Sequence, residues 1–153
     1  MKQYIGTKIV KAEFVPGCEK AVGDNSLNEN TPDGYKVIYS DGYESWSPKG
    51  VFEESYKECN NLTFGIALEM AKKGNKIARE SWLPCQFVVY QKGYPSGIPC
   101  NKQTAEAWGM QEGELFRCAP YLQMQYSEGK DNSHFMWTPN TLDILAEDWT
   151  IVE

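Results

Sequence analysis

Histidine is almost missing from this chain of 153 residues, with His134 the single one. The usual imidazole-based nucleophile and base pairs therefore have one residue to draw on. Its setting, Asp131-Asn132-Ser133-His134, reads as a solvated turn and not as a catalytic centre. Arginine is nearly as scarce: only Arg79 and Arg117 stand among the 15 basic residues, although arginine is the side chain best suited to two-pronged pairing with carboxylate or phosphate. No C-x-x-C pair suggests a zinc site. No G-x-S-x-G elbow, phosphate-binding G-x-x-x-x-G-K loop or H-E-x-x-H helix occurs. No stretch approaches the roughly 18 apolar residues that a membrane span requires.

What is present describes a folded domain. Hydrophobic residues make up 41% of the chain, aromatic residues 13% and charged residues 24%, a balance that can bury a core and does not match a disordered tail. The net charge of -6 disfavours any partner bound by neutralising many backbone phosphates, so duplex nucleic acid is not expected. The five cysteines, 18, 59, 85, 100 and 118, are odd in number and widely spaced, as expected of reduced thiols. With the start MKQYIGTKIV and no apolar run behind it, a cytoplasmic location is expected.

The first sixty residues predict a small β-rich module. Tyr4 to Phe14 has strand composition and ends at Pro16-Gly17, and a polar loop follows from Cys18 to Gly34. Tyr35–Tyr39 and Tyr43–Trp46 flank Asp41-Gly42, a pair that tolerates the positive φ of a tight hairpin turn. Ser47-Pro48 predicts a helix start capped by Ser47, with Val51, Phe52, Ser55 and Tyr56 on its inner face. Polar Cys59-Asn60-Asn61 marks the boundary, giving modules 1–60 and 61–153.

In the second module Thr63 is expected to cap a helix whose Phe64, Ala67, Leu68 and Ala71 share one face and which Gly74 ends. Strands are predicted over Lys76–Arg79 and Gln86–Gln91, with Trp82-Leu83-Pro84 as the bend between them. A long connection from Gly93 to Gly113 holds one or two helical turns near Thr104–Trp108. Strands follow at Phe116–Tyr126, Phe135–Trp137 and Trp149–Val152, with a short helix at Leu142–Ala146. The fold class is α+β: a small antiparallel sheet packed with one main helix, preceded by a β-hairpin-plus-helix module.

Two sets of residues stand out chemically. Asp143, Glu147 and Asp148 can serve acid–base or metal chemistry, but they also read as a helix cap and a solvated corner. Most of the five tryptophans are expected in the core, among them Trp149 in its apolar context. Trp82 and Trp137 lie where strands meet bends and suit a stacked ligand.

The run from Leu62-Thr63-Phe64-Gly65 through Ala78-Arg79-Glu80-Ser81-Trp82 resembles the opening motif of the second Thoeris anti-defence family of bacteriophages. Met136-Trp137-Thr138-Pro139-Asn140-Thr141-Leu142-Asp143 through Trp149 resembles its closing motif, and the likeness spans about Leu62 to Glu153. Many members carry glycine-tryptophan-asparagine-glycine where this chain has Ser81-Trp82-Leu83-Pro84.

The resemblance implies an oligomeric sponge that binds cyclic ADP-ribose-type signals in the host cytoplasm without cleaving them, some members also taking cyclic oligonucleotides of the CBASS system. No cofactor or catalytic residue is implied. The residues expected to line the site are Phe64, Gly65, Arg79, Trp82, Trp137, Thr138, Asn140 and Asp143. Trp82 or Trp137 would stack a base, Asn140 and Asp143 would meet ribose hydroxyls, and Arg79 with the N-terminus of the Phe64 helix would meet pyrophosphate. A module of this size has little interior to spare for a pocket of roughly 300 to 1,000 Å³, so sites between the subunits of a dimer or tetramer are expected. An enzyme hydrolysing such a signal through Asp143, Glu147 and Asp148, or a phage interaction protein docking through Trp46, are the alternatives.

Overall fold

Residues 1–3, 6–17, 32–82, 85–126 and 133–152 are described in the computed structural model. The chain divides into two units, Met1–Glu58 and Cys59–Glu153.

In the first unit, β1 (Lys11–Val15), β2 (Gly34–Ile38) and β3 (Glu44–Pro48) form an antiparallel sheet in that order, followed by α1 (Lys49–Ser55). The expected strand over Tyr4–Phe14 is shorter, beginning only at Lys11, and Tyr4 and Ile5 lie outside the described residues, as does most of the expected loop over 18–34. The β2–β3 turn holds three residues, with Gly42 at φ 83°. Gly42 N–H bonds the Tyr39 carbonyl at 2.9 Å and Tyr39 N–H bonds that of Tyr43 at 2.9 Å, the three-residue alternative to a two-residue turn. Ser47 does not cap α1. It is paired in β3 opposite Tyr35, and Pro48 holds the N-cap position with no side-chain bond. Phe52 stacks on Tyr35 at 4.2 Å and on Tyr56 at 4.8 Å between ring centroids, while Val51 and Ser55 are exposed.

The second unit opens with α2 (Phe64–Lys72), which ends in a left-handed turn because Gly74, at φ 101°, accepts a conformation that side chains disfavour. Gly74 N–H bonds Ala71 O at 2.9 Å and Asn75 N–H bonds Met70 O at 3.2 Å, closing the helix's last carbonyls. At its other end Thr63 holds the N-cap position but its side chain makes no capping bond, against expectation.

A five-stranded antiparallel sheet follows: β4 (Lys76–Arg79), β5 (Phe87–Gln91), β8 (Tyr121–Gln125), β9 (His134–Trp137) and β10 (Trp149–Val152), in the order β10-β4-β5-β8-β9. His134 is therefore the exposed first residue of β9. Register places Ile77 opposite both Val88 and Ile151, Val88 opposite Met124, Arg79 opposite Trp149 and Leu122 opposite Trp137. Strand alternation then puts all of these on one face. The core is Leu62, Ala67, Ala71, Ile77, Val88, Met124 and Trp149, with α2 laid over β4, β5 and β10. The α+β class expected from the sequence is the observed one.

The connection between β5 and β8 departs from expectation. It contains a strand, β6 (Tyr94–Pro99), then α3 (Lys102–Trp108) and β7 (Leu115–Cys118), with β6 and β7 pairing as a separate two-stranded sheet. Two prolines and a glycine hide β6, and the β6–β7 register shifts between Tyr94 and Ile98 to take them. The predicted continuous strand Phe116–Tyr126 is accordingly two strands broken at Ala119-Pro120. α3 is capped by Asn101, which accepts from Thr104 N–H at 2.8 Å, and is ended by left-handed Gly109.

Gly34 shows how tightly the first sheet is built: a Cβ there would lie 2.5 Å from the Trp46 ring and 2.6 Å from the Ser47 carbonyl oxygen. Because backbone cannot move aside cheaply, Gly34→Ala should destabilise that sheet by about 1–3 kcal/mol, measured by urea unfolding.

Candidate functional site

Four aromatic rings meet at the ends of four elements. Phe64 is the first residue of α2, Trp82 follows β4, Trp137 closes β9 and Trp149 opens β10. Trp149 is wholly buried at 0% exposure, and the others gather edge-on or tilted around it. Centroids lie 5.3 Å away for Phe64, 5.3 Å for Trp82 and 6.1 Å for Trp137. Trp82 and Trp137 are themselves 5.7 Å apart at 80°. Edge-to-face packing at such distances is favourable for rings with a negative face and a positive rim. Phe64, Trp82 and Trp137 each remain half-buried, so the cluster has a sealed centre and an accessible rim. Gly65 is exposed beside Phe64, with nothing within 4 Å of where a Cβ would stand.

An ionic chain runs beside the rings. Arg79 grips Asp148 with two prongs, Nε donating to Oδ1 and a terminal nitrogen donating to Oδ2 at 3.2 Å. Its other terminal nitrogen donates to Asp143 Oδ1 at 3.1 Å. The guanidinium carbon lies 5.8 Å from the centre of the Trp149 ring. Asp143 is the third residue of α4 (Thr141–Leu145), whose N-cap is Asn140. Asp143 N–H donates to Asn140 Oδ1 at 3.0 Å and Asn140 N–H donates to Asp143 Oδ2 at 3.0 Å, so each residue closes an open backbone donor of the other. The Trp149 indole N–H completes the chain by donating to the Asp143 carbonyl at 2.9 Å.

The expected site residues thus fall into two groups. Phe64, Trp82 and Trp137 come together around Trp149, with Gly65 and Thr138 exposed next to them in sequence. Arg79, Asn140 and Asp143 come together in the hydrogen-bonded chain. Their roles differ from those expected: Arg79 faces two carboxylates, not an open anion site, and both Asp143 oxygens are engaged within the fold. Asp143 is the one buried polar or charged residue among the described residues, and there no buried side-chain nitrogen or oxygen lacks a partner. Asp148, read from sequence as a solvated corner, is the principal partner of Arg79, and Glu147 alone of the three acids is exposed. Asp148 and Trp149 escaped the sequence-based site because their contacts depend on the β4–β10 register. Two tryptophans expected in the core are exposed instead, Trp46 at 44% and Trp108 at 74%. Cys59, Cys85, Cys100 and Cys118 are free thiols.

An antiparallel sheet covered by α2, whose motif-bearing ends converge on a tryptophan cluster, defines a small α+β module. The chain belongs to the family of the Thoeris anti-defense 2-like domain, whose profile matches residues 62–152. One curated relative, Thoeris anti-defense 2 of Bacillus phage SP01, is 29% identical over 91 residues, covering 60% of this chain and 94% of that protein. Membership supports a phage anti-defence role. Among the described residues no helix is long and apolar enough to cross a membrane.

Removing Arg79 would leave two carboxylates facing each other, one of them buried. Arg79→Met should therefore cost about 3 kcal/mol of stability, seen as a lowered urea midpoint, well beyond the effect of a surface ion pair.

Proposed function

We propose that the second unit binds a cyclic nucleotide immune signal, of the glyco-cyclic ADP-ribose type and also of the CBASS cyclic oligonucleotide type, and holds it without cleaving it. The observation that carries this reading is the half-buried rim of Phe64, Trp82 and Trp137 around the sealed Trp149. Such rims stack bases at about 1–3 kcal/mol each. The state of the acids favours binding over hydrolysis. A general acid or base needs a carboxyl free to exchange a proton with substrate, yet Asp143 and Asp148 are both committed to Arg79.

With Arg79 so engaged, the anionic part of the ligand falls to groups that remain open. These are the first backbone N–H groups of α2 near Gly65, which Thr63 does not cap, and the exposed Thr138 and Asn140 side chains. The Asn140 oxygen is taken by Asp143, which leaves its amide nitrogen to donate. Incubating the protein with glyco-cyclic ADP-ribose and then denaturing it by heat should return the intact signal, and recovery of hydrolysed product would overturn the reading. Trp82→Ala and Trp137→Ala should each weaken binding about tenfold to a hundredfold in calorimetry.

A second copy of the chain completes the proposal. β9 is an edge strand without lysine, glutamate or proline, the usual guards of an open edge. Phe135 and Met136 on β9 and Leu142, Ile144 and Leu145 on α4 are all exposed within eleven residues, next to Trp137 and Asn140. A homodimer or tetramer using this surface would cover it and wall the binding site from the partner side. Light scattering should give an oligomer for the wild-type chain and a monomer for Met136→Lys, whose side chain is 73% exposed. A monomer at micromolar concentration for both would count against shared sites.

A further inference from the structure

We infer that Asp148, outside the set of residues that would touch a ligand, is the positioning residue of the ligand site. This rests on the binding role proposed above for the rim of tryptophans. The argument follows the bonds outward from Asp148. It holds Arg79 by two prongs, Arg79 reaches Asp143, and Asp143 is locked to Asn140 by two reciprocal 3.0 Å bonds. Asn140 ends the corner Trp137-Thr138-Pro139-Asn140 that joins β9 to α4.

The same chain returns to the rings, because the Asp143 carbonyl takes the Trp149 indole N–H at 2.9 Å. Asp148 itself is tied to β4, its carbonyl accepting from Glu80 N–H at 3.1 Å. One carboxylate thereby links β4, β10 and α4, three elements whose ends carry Trp82, Trp149 and the β9–α4 corner. α4 has only five residues and would not hold its place by itself. Its Leu142, Ile144 and Leu145 are exposed, so beside its contact with α2 and the packing of Ala146 the ionic chain is what fixes it. A site whose corner is fixed in advance loses less entropy on binding.

Amide hydrogen exchange on the full-length chain tests this without a ligand. Asp148→Asn keeps the shape and removes the charge. The Asn140, Asp143 and Ile144 amides, bonded within the corner, should exchange about tenfold or more faster than in wild type, as loss of a charge-assisted bond implies. Val88 and Met124, at the centre of the sheet, should keep their protection. Affinity for glyco-cyclic ADP-ribose should fall by a similar factor, and Asp148→Glu should restore part of both. Unchanged exchange at the corner overturns the proposal. Equal loss of protection at Val88 and Met124 also overturns it, since that marks an ordinary stabilising ion pair. A loosened corner with undiminished affinity overturns the link to binding. If the wild-type chain binds no cyclic nucleotide, the functional reading fails, and the exchange result still decides whether Asp148 fixes the corner.

Discussion

A guanidinium withdrawn from water must find compensating charge and hydrogen-bond acceptors, or the fold that hides it is destabilised. Arg79 meets that constraint at the end of β4 by taking one carboxylate from the residue just before β10 and another from the first turn of α4. Much of the second unit follows from the arrangement. The β4–β10 register places Arg79 opposite Trp149, and α4 must dock where Asp143 can reach. The chain before Trp149 must turn so that Asp148 presents both oxygens. The triad of one cation and two anions leaves a formal charge of -1 beside the aromatic rim, so an anionic ligand has to be held by donors elsewhere.

The tryptophan cluster depends on the same constraint. Trp149 has an N–H that cannot be left unsatisfied in a fully buried position, and Asp143 satisfies it through its backbone carbonyl while its carboxylate serves Arg79 and Asn140. Three jobs fall on one residue. Asp143 and Asp148 are thus explained by architecture before any chemistry is asked of them, which weakens the case for catalysis through those two groups.

What could be read from the sequence were features whose signal is local. Gly74 at a helix end, Asp41-Gly42 in a hairpin, the apolar face of α2 and the Lys76–Arg79 strand each declare themselves within a few residues. The large rings of Phe64, Trp82 and Trp137 were legible one by one beside helix and strand ends, though not their meeting around Trp149. The partners of Arg79 were not. They lie 64 and 69 positions away in the chain, and nothing near Asp148 distinguishes a buried clamp from a solvated corner. β6 was hidden because Pro95, Gly97 and Pro99 oppose regular pairing, and only its position in a separate two-stranded arm makes them tolerable. Ser47 misled because a serine before proline suits a cap, while its pairing with Tyr35 in β3 decides the matter.

The family match begins at residue 62, and the first unit ends at Glu58. The first unit has its own sheet, its own helix and a run of ring contacts, edge-on between Phe14 and Tyr35 and stacked from Tyr35 through Phe52 to Tyr56. Arg79, Asp143 and Asp148, by contrast, all lie inside the matched segment, as do the four rings. Neither group of residues is complete without the other. The rings need the clamp to seat Trp149, and the clamp needs the sheet that the rings help to close. The aromatic rim and the scaffold behind it are therefore one unit of structure, and a change aimed at either has to be judged by its effect on both.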